Sequence, residues 1–501
     1  MRLRSRAGLT TAAAGLSALL FASTASAAPG PGSPGVGDPY YPLDGNGGYD
    51  VSHYDIRVSY KPDGDLLSGT TTILAKAEQD LSAFNLDFLL EVKSVRVNNR
   101  SATFSTDGGE LTVDPAKDIA KGSPLLIVVG YADTPNKYEL YGYNAWKQTP
   151  TGALAVDEPQ IAPWWYPSNN HPTDKATFDV SIAAPEGLEA ISNGTFLGTT
   201  QQIGGMVRWH WRSLQPQATY LTFMAIEDYD VTEGTSADGT PYLNAYAKDL
   251  VYGDAARASV ERTPEVTEFL ETKFGQYPFE VNGGVVTTGL GFALETQTRS
   301  VYDDRFFRRG SNTYVVAHEL AHQWYGDSVS VKSWDEIWLN EGFASYAEFL
   351  WSEEQGEGTT AELAQFLYDS YPADDPFWDV LPGDPGAENQ FHPAVYDRGA
   401  MTLQALRTKI GDWAFFKLLK RWPAKKRNGV ATTPQLLKLA EKISGKQLDK
   451  LFDTWLYTAD KPATGPNGKQ TLRATKASAP KSWSKISTTR EHLRQPEHDH
   501  K

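Results

Sequence analysis

Hydrophobic and polar residues alternate in short runs through the first half of the chain. Runs of this kind, separated by Gly, Asp, Asn and Pro, are typical of half-buried strands joined by polar turns. The clearest runs are residues 53–60, 70–78, 125–132, 176–184 and 219–226. The pattern therefore predicts an N-terminal antiparallel β domain over residues 48–233.

In the second half the apolar positions recur every three or four residues, which is typical of amphipathic helices. A strand-like run, residues 283–290, lies among them, so a purely helical bundle is disfavoured. The unit over residues 234–465 is therefore predicted to be an α+β domain. Its predicted helices cover residues 253–274, 312–326, 333–354, 398–423 and 433–457.

The first 27 residues have the composition of a secretory signal peptide. Arg2, Arg4 and Arg6 form a basic head, an apolar stretch follows, and small residues precede an expected cleavage site near Ala27. A membrane anchor is the alternative, but the apolar run is shorter than the roughly 20 residues needed to cross a bilayer. We therefore expect a secreted, extracellular protein with no stable membrane association after cleavage.

Two further segments differ in composition from the predicted domains. Residues 28–47 are rich in Gly and Pro and predict a linker. Residues 466–501 contain few apolar residues and an excess of Lys and Arg over Asp and Glu, which predicts a disordered basic tail. The sequence leaves the function of this tail and the oligomeric state undefined.

Composition narrows the possible chemistry. The chain has 501 residues, a formal net charge of −15 and no cysteine. Without cysteine it has no disulfide, thiolate nucleophile, cysteine-type zinc finger or iron–sulfur cluster, so a bound metal must use His and carboxylate ligands. The acidic charge argues against a nucleic-acid partner, because phosphates bind to basic surfaces.

Residues 318–322 read HELAH within a predicted helix. Positions four apart on a helix share a face, about 6 Å apart at Cβ, so His318 and His322 can bind one metal ion with Glu319 beside them. Ser311 or Asn312 can cap this helix.

A second predicted helix supplies a third ligand. Ser333 and Glu336 match a capping box at its start, and Glu341 lies eighteen residues beyond His322. A catalytic zinc takes three protein ligands and leaves one position for water, and two His with one Glu is a known set. We therefore predict one Zn²⁺ per chain, bound by the two histidines and Glu341. Glu348 could accept the second ring N–H of a ligand histidine, the alternative being an exposed ion-pair residue.

HELAHQW, the eighteen-residue spacing and WLNEGFASY (338–346) closely resemble the aminopeptidase N family of zinc metallopeptidases, the gluzincins. The resemblance covers about residues 140–460 and implies a multidomain fold: an N-terminal β domain followed by a thermolysin-like α+β zinc-peptidase domain. It also implies a short secreted member of bacterial type, with no large C-terminal helical domain. Three further segments are similar to the family: FGQYPF (274–279), VYDRGA (395–400) and LDKLFDTWLY (448–457).

The resemblance also implies roles for individual residues. Glu319 matches the general base that activates a zinc-bound water, and Tyr396 matches the tyrosine that hydrogen-bonds the oxyanion. The family's substrate strand, Gly-x-Met-Glu-Asn, reads FALET (292–296) here and keeps only Glu295.

A second substrate-binding carboxylate is implied ahead of the catalytic domain. A family glutamine aligns with Val156, but the glutamate two residues later is present as Glu158. A peptide α-amine has a pKa of about 8 and is mostly protonated at neutral pH. Glu158 and Glu295 near the zinc would hold that ammonium, which is the arrangement of an exopeptidase.

These residues predict a secreted zinc-dependent aminopeptidase that hydrolyses the first bond of peptides with a free N-terminus. A zinc endopeptidase of the same fold is one alternative, favoured by the FALET sequence and by the lack of a C-terminal domain. A catalytically silent peptide-binding module is another, and it is disfavoured because every metal, base and tyrosine position is filled. The early end of the chain also predicts an open cleft in which long peptides are trimmed as readily as dipeptides.

Overall fold

The structure is a computed structural model that describes residues 28–469 and 478–492. The predicted signal peptide, residues 1–27, lies outside the described residues. Among the residues that are described, no helix combines the length and apolar character needed to cross a membrane.

The N-terminal half is a β domain built around an eight-stranded sheet. The strand order in this sheet is β14-β15-β12-β2-β3-β9-β5-β6. Most neighbours are antiparallel, as predicted, but β2 and β12 run parallel, so the sheet is mixed. The strands of this half are β1 Gly30–Pro31, β2 Tyr49–Lys61, β3 Leu66–Ala77, β4 Leu81–Asp87, β5 Val92–Val97, β6 Arg100–Ser101, β7 Thr103–Asp107, β8 Glu110–Asp114, β9 Pro124–Asp133, β10 Trp146–Gln148, β11 Ala153–Ala155, β12 Ala176–Pro185, β13 Glu189–Ile191, β14 Thr195–Gln202, β15 Met206–Gln217 and β16 Met224–Glu227.

Alternation along β2 explains why these residues form a strand. Tyr54, Ile56 and Val58 are fully buried, whereas the residues between them are more exposed. Successive side chains of a strand point to opposite faces, so this order gives the strand one apolar face for the domain core.

The second half begins with a five-stranded sheet in the order β17-β18-β19-β21-β20. The predicted domain boundary at residue 233 falls inside β17, which pairs with β18 in this sheet. A short parallel pair, β22 with β23, lies elsewhere in the same half. These strands are β17 Tyr229–Thr235, β18 Pro241–Ala247, β19 Asn282–Thr287, β20 Ala293–Leu294, β21 Ser300–Asp303, β22 Val329–Val331 and β23 Gly429–Ala431.

The five-stranded sheet separates two hydrophobic cores. Val285 and Val301 pack in the core of the β domain, whereas Val286 and Tyr302, their neighbours along the chain, pack in the core formed with the helices. Both faces of the sheet are therefore covered. Residues in the loops that follow its strands lie close to both domains.

Helices cover the other side of this sheet. Their number is larger than the pattern predicts, because three predicted helices, 253–274, 398–423 and 433–457, are each divided into two. Two further helices, Thr360–Ser370 and Trp483–His492, were not expected from the sequence. The helices are α1 Gly253–Val260, α2 Thr263–Phe274, α3 Thr313–His322, α4 Trp338–Glu354, α5 Thr360–Ser370, α6 Pro393–Ile410, α7 Asp412–Lys426, α8 Thr433–Ser444, α9 Asp449–Phe452 and α10 Trp483–His492, with a π-helical turn, Asp453–Tyr457, after α9.

Asn312 caps α3, as predicted, because its side chain accepts a hydrogen bond from the backbone N–H of Tyr314 at 3.1 Å. The capping box predicted at Ser333 and Glu336 is wrong. Ser333 makes no side-chain cap, and Glu336 instead accepts a hydrogen bond from the hydroxyl of Thr433 at 2.9 Å, at the start of α8.

The Gly/Pro-rich segment 28–47, predicted to be a linker, is packed against both domains. Asp38 lies 3.2 Å from His171 of the β domain and accepts a hydrogen bond from the backbone N–H of Trp334 at 2.9 Å. The hydroxyl of Tyr41 donates to Gln390 at 2.8 Å. This segment therefore fastens the two domains together.

Part of the tail predicted to be disordered is folded as well. Residues 483–492 form α10, whose Ile486 is fully buried in the core of the second domain. Among the residues described after 469, α10 is the only helix, so this part of the chain forms no large helical domain. The rest of the predicted tail, residues 470–477 and 493–501, lies outside the described residues.

Candidate active site

The two histidines of HELAH lie on one face of α3, with their ring centroids 5.0 Å apart. Glu341, in the first turn of α4, lies between them. Its Oε2 atom is 3.2 Å from Nε2 of His318 and 3.5 Å from Nε2 of His322. One donor atom from each of these three buried residues lies within 4.8 Å of the other two.

The second nitrogen of each ring is hydrogen-bonded. Nδ1 of His318 lies 2.6 Å from Oε1 of Glu348, which confirms that Glu348 can serve as its acceptor, and Nδ1 of His322 lies 3.1 Å from the backbone carbonyl of Tyr325. An N–H at Nδ1 leaves the Nε2 lone pair free for a metal. The donor set and its convergence therefore fit a zinc ion with three protein ligands and an open position.

The electrostatics of this cluster reflect its burial and its crowding of charges. Burial alone would lower the pKa of His318, but hydrogen bonds to Glu341 and Glu348 outweigh it and raise the pKa to about 9. Burial opposes ionisation of Glu341, yet His322 and His318 lower its pKa to about 2. Glu319 is different, because burial outweighs the two histidines and raises its pKa to about 8.

Glu295 and Glu319 form a second group with His322, whose donor atoms also lie within 4.8 Å of one another. Glu295 follows directly after β20, and Tyr220 donates a hydrogen bond to it at 3.4 Å. Burial raises the pKa of Glu295.

Glu158 reaches the same cavity from the loop after β11 of the β domain. It is buried, and burial together with the charge of Glu295 raises its pKa well above the usual range. Its Oε1 atom has no hydrogen-bond partner among the described residues. A buried, unpaired carboxylate oxygen is costly, so this atom is available to a ligand that donates hydrogen bonds.

Tyr396 is held against the metal cluster by the packing of α6 on α4. The two helices approach closely at a pair of glycines, where a Cβ placed on Gly342 would lie 3.1 Å from the Cα of Gly399. This contact brings the ring of Tyr396 to 6.0 Å from that of His318, centroid to centroid. Burial raises the pKa of Tyr396 well above its usual range, so its phenol stays a hydrogen-bond donor.

The structure brings all seven predicted site residues to one cavity between the two domains. They are Glu158, Glu295, His318, Glu319, His322, Glu341 and Tyr396. Thr489 and Arg490 of α10 line the same cavity, and neither was expected from the sequence. Residues of α10 therefore form part of the cavity wall, and the open cleft for long peptides stays a prediction.

Two family models match the chain. The Peptidase M1 N-terminal domain matches residues 51–221, and the Peptidase family M1 domain matches residues 282–455. The second range contains both histidines of HELAH, Glu341 and Tyr396.

Known proteins of similar sequence are longer than this chain. Glutamyl aminopeptidase of Bitis rhinoceros is 25% identical over 438 residues, which are 80% of this chain and 46% of that protein. Aminopeptidase N of Haemonchus contortus is 26% identical over 324 residues, which are 59% of this chain and 33% of that protein. The chain thus spans half or less of the length of these curated relatives.

Solved structures of similar fold match it over nearly their whole length. The M1 zinc metallopeptidase of Deinococcus radiodurans has a TM-score of 0.76 and 28% identity, covering 87% of this chain and 100% of that chain. A mutant of that enzyme bound to Tyr-Ser-Ala has a TM-score of 0.77, 28% identity and coverages of 87% and 99%. These matches confirm the resemblance drawn from the motifs, and the chain belongs to peptidase family M1.

Proposed function

We propose that the protein is a secreted zinc-dependent aminopeptidase that hydrolyses the first bond of peptides with a free N-terminus. One observation carries this proposal: the three metal-donor residues share a cavity with two further buried carboxylates, Glu158 and Glu295. A metal ion and a peptide ammonium would balance the negative charge of that cavity from two sides.

The zinc ion, one per chain, would be held by His318, His322 and Glu341. When bound, zinc supplies a Lewis acid that lowers the pKa of a coordinated water and polarises a carbonyl. The charge of the bound metal would favour the ionised form of Glu319, which is buried next to these ligands. The carboxylate would then accept a proton from the attacking water and deliver it to the departing amine. The helix α3 fixes Glu319 between the two histidines, so its position does not depend on a mobile loop.

Tyr396 would stabilise the negative charge that develops on the scissile carbonyl oxygen. Its ring is held close to His318, and its buried phenol remains protonated at neutral pH. A positioned donor of this kind contributes about 2.7 to 4 kcal/mol to transition-state stabilisation.

Glu158 and Glu295 would hold the substrate ammonium. The unpartnered Oε1 atom of Glu158 supports this role, because an ammonium is a donor with no acceptor capacity. With the amine fixed at this end of the cavity, only the first peptide bond can reach the metal and Glu319. The mutant Deinococcus enzyme bound to Tyr-Ser-Ala is consistent with short peptides as ligands of this fold.

The basic and apolar N-terminus supports secretion. Residues 1–27 carry three arginines, an apolar stretch and small residues before Ala28. Mass spectrometry of the exported protein tests this, and we expect a mature N-terminus near Ala28. Retention of residues 1–27 on the mature protein would contradict it.

The function is tested with matched peptides that differ only in their N-terminus. We expect free peptides to be cleaved and their N-acetylated forms to be cleaved far more slowly, because acetylation removes the ammonium. Glu295→Gln should lower kcat/KM for free peptides by about 10- to 100-fold, the effect of a charge-assisted hydrogen bond of about 1.5 to 3 kcal/mol. Glu265→Gln, on the exposed side of α2, is the matched control.

Two results would contradict the proposal. Equal cleavage of free and acetylated peptides would favour the zinc endopeptidase. The absence of any zinc-dependent hydrolysis by the wild-type protein would favour a silent binding module.

A further inference from the structure

The C-terminal segment 478–492 is docked on the catalytic domain by specific contacts. The ring of Trp483 lies 5.2 Å from that of Phe366, centroid to centroid, and the hydroxyls of Ser482 and Ser352 are 2.8 Å apart. Ile486 is 0% exposed. Apolar burial and polar pairing along one helix indicate a defined interface.

This interface reaches both helices of the metal cluster. The side chain of Asn312, which caps α3, donates to the backbone carbonyl of Lys485 at 3.4 Å. Ser352, in the last turns of α4, meets Ser482. The position of α10 is therefore coupled to the two helices that carry the three donor residues.

Arg490 is the residue of α10 that enters the active-site region. Its side chain is only 2% exposed. Its Nη1 atom donates to Oε1 of Glu348 at 2.9 Å, and its Nε atom donates to Oδ1 of Asp397 at 2.8 Å. The guanidinium carbon lies 5.8 Å from the centroid of the Tyr396 ring.

Both carboxylates that bind Arg490 lie next to residues of the proposed active site. The same Oε1 atom of Glu348 accepts from Nδ1 of His318, and Asp397 is the neighbour of Tyr396 along α6. Among the described residues, Arg490 is the only lysine or arginine that pairs with either carboxylate. Two buried carboxylates without a cation are strongly unfavourable, and a planar guanidinium can bind both in a fixed geometry.

We propose that α10 completes the active site in cis, with Arg490 as a positioning residue. Arg490 fixes Glu348, and through it the orientation of the His318 ring. It also fixes Asp397, and through it the turn of α6 that carries Tyr396. The inference deepens the proposed function and rests on it for its kinetic part, but its effect on zinc binding does not require any activity.

A plug is the opposite interpretation of the same helix, because Thr489 and Arg490 line the cavity. The charges favour the interpretation that α10 completes the active site. Withdrawal of a plug would leave Glu348 and Asp397 buried without their cation, whereas a helix that stays docked keeps both paired. The two interpretations predict opposite changes in turnover when Arg490 is replaced.

The test uses the full-length protein with Arg490→Gln and Arg490→Lys. Zinc affinity is measured by competition with a chromophoric chelator, and kcat and KM are measured separately on a free peptide. We expect Arg490→Gln to lower zinc affinity and kcat by about 10- to 100-fold each, as for other partners of metal ligands, with KM nearly unchanged. Arg490→Lys should recover part of both losses, because lysine restores the positive charge but not the planar guanidinium that binds both carboxylates.

Lys481→Gln, which removes an exposed charge from the same segment, is the matched control and should leave both quantities unchanged. Wild-type zinc affinity in Arg490→Gln, or a rise in kcat, would overturn the proposal. If Arg490→Gln does not fold, Arg490→Lys decides the matter, since full zinc affinity and full kcat in that variant would also overturn it. A third outcome separates the two proposals. If Arg490→Gln binds zinc more weakly than the wild type but the wild type hydrolyses no peptide, the inference is supported and the proposed function is contradicted.

Discussion

Two regions meet at one active site: the metal-donor helices α3 and α4, and the C-terminal helix α10. Local sequence spacing places the side chains of the first region, whereas long-range docking places those of the second. In α3 the two histidines are four residues apart, so the geometry of a single helix turn aligns them. Arg490 is 142 residues from Glu348 and 93 from Asp397, so only the docking of α10 brings it there. The first region shows how local spacing builds a site, and the second shows how a distant segment can complete it.

Of the changes that compare these two regions, replacing Tyr396 of α6 by phenylalanine should have the largest effect and should leave both regions in place. The variant loses the hydroxyl that stabilises the oxyanion, worth about 2.7 to 4 kcal/mol, so kcat should fall by about 100- to 1000-fold. Steady-state kinetics on an aminoacyl arylamide checks this, with zinc affinity measured beside it. Unchanged kcat, or a loss of zinc, would refute the role given to Tyr396. Tyr242→Phe, near the start of β18, is the control.

Replacing Ile486 by alanine should act through the second region. Such a change in a buried isoleucine costs about 2 to 5 kcal/mol, and we expect the lower end because a single docked helix can shift to fill the space. Hydrogen exchange in residues 483–492 should become faster, and kcat and zinc affinity should fall together. Ile203→Ala, at a position that is 101% exposed, is the control and should change neither. Faster exchange with full zinc affinity and activity would separate α10 from the active site.

Replacing Asn312 by alanine should have the smallest effect and should touch both regions. Asn312 caps α3 and also donates to Lys485 of α10. Loss of a helix N-cap costs about 0.5 to 2 kcal/mol. Urea unfolding should show this loss, with a modest rise in hydrogen exchange in residues 483–492. Unchanged exchange there would mean that the contact with Lys485 does not help to dock α10.

The site was largely predictable because its chemistry is carried by short spacings. HELAH and a glutamate eighteen residues later place three donors on two successive helices, and the structure brings their donor atoms together. The substrate-binding roles of Glu158 and Glu295 were instead predicted from the family resemblance. They lie on a loop and beside a short strand from different domains, and their proximity has no signature in local sequence.

Local patterns were less informative where a distant residue competes for the same group. Ser333 with Glu336 and Thr359 with Glu362 match the same capping pattern, but only the second pair forms the capping box, at the start of α5. Glu336 is engaged by Thr433, ninety-seven residues away. The pattern at Thr359 was therefore the available signal for α5.

Composition misled at both ends of the chain for a related reason. Gly, Pro and charged residues remove the usual signs of helix and strand, but they do not prevent docking. Asp38 is ordered by Trp334, and α10 is held by Ile486 and Arg490, all through contacts between segments far apart in sequence. Such contacts are specified by the folded core and not by the segment itself.

The most direct test of the catalytic account is the Glu319→Gln variant, with zinc content and kcat/KM measured on the same sample. Glu353→Gln, on the exposed side of α4, is the control. We predict that Glu319→Gln keeps one zinc per chain and loses about 100- to 10,000-fold in kcat/KM, because the metal site remains while proton transfer is lost. Zinc-loaded Glu319→Gln that retains most of its activity would contradict the account.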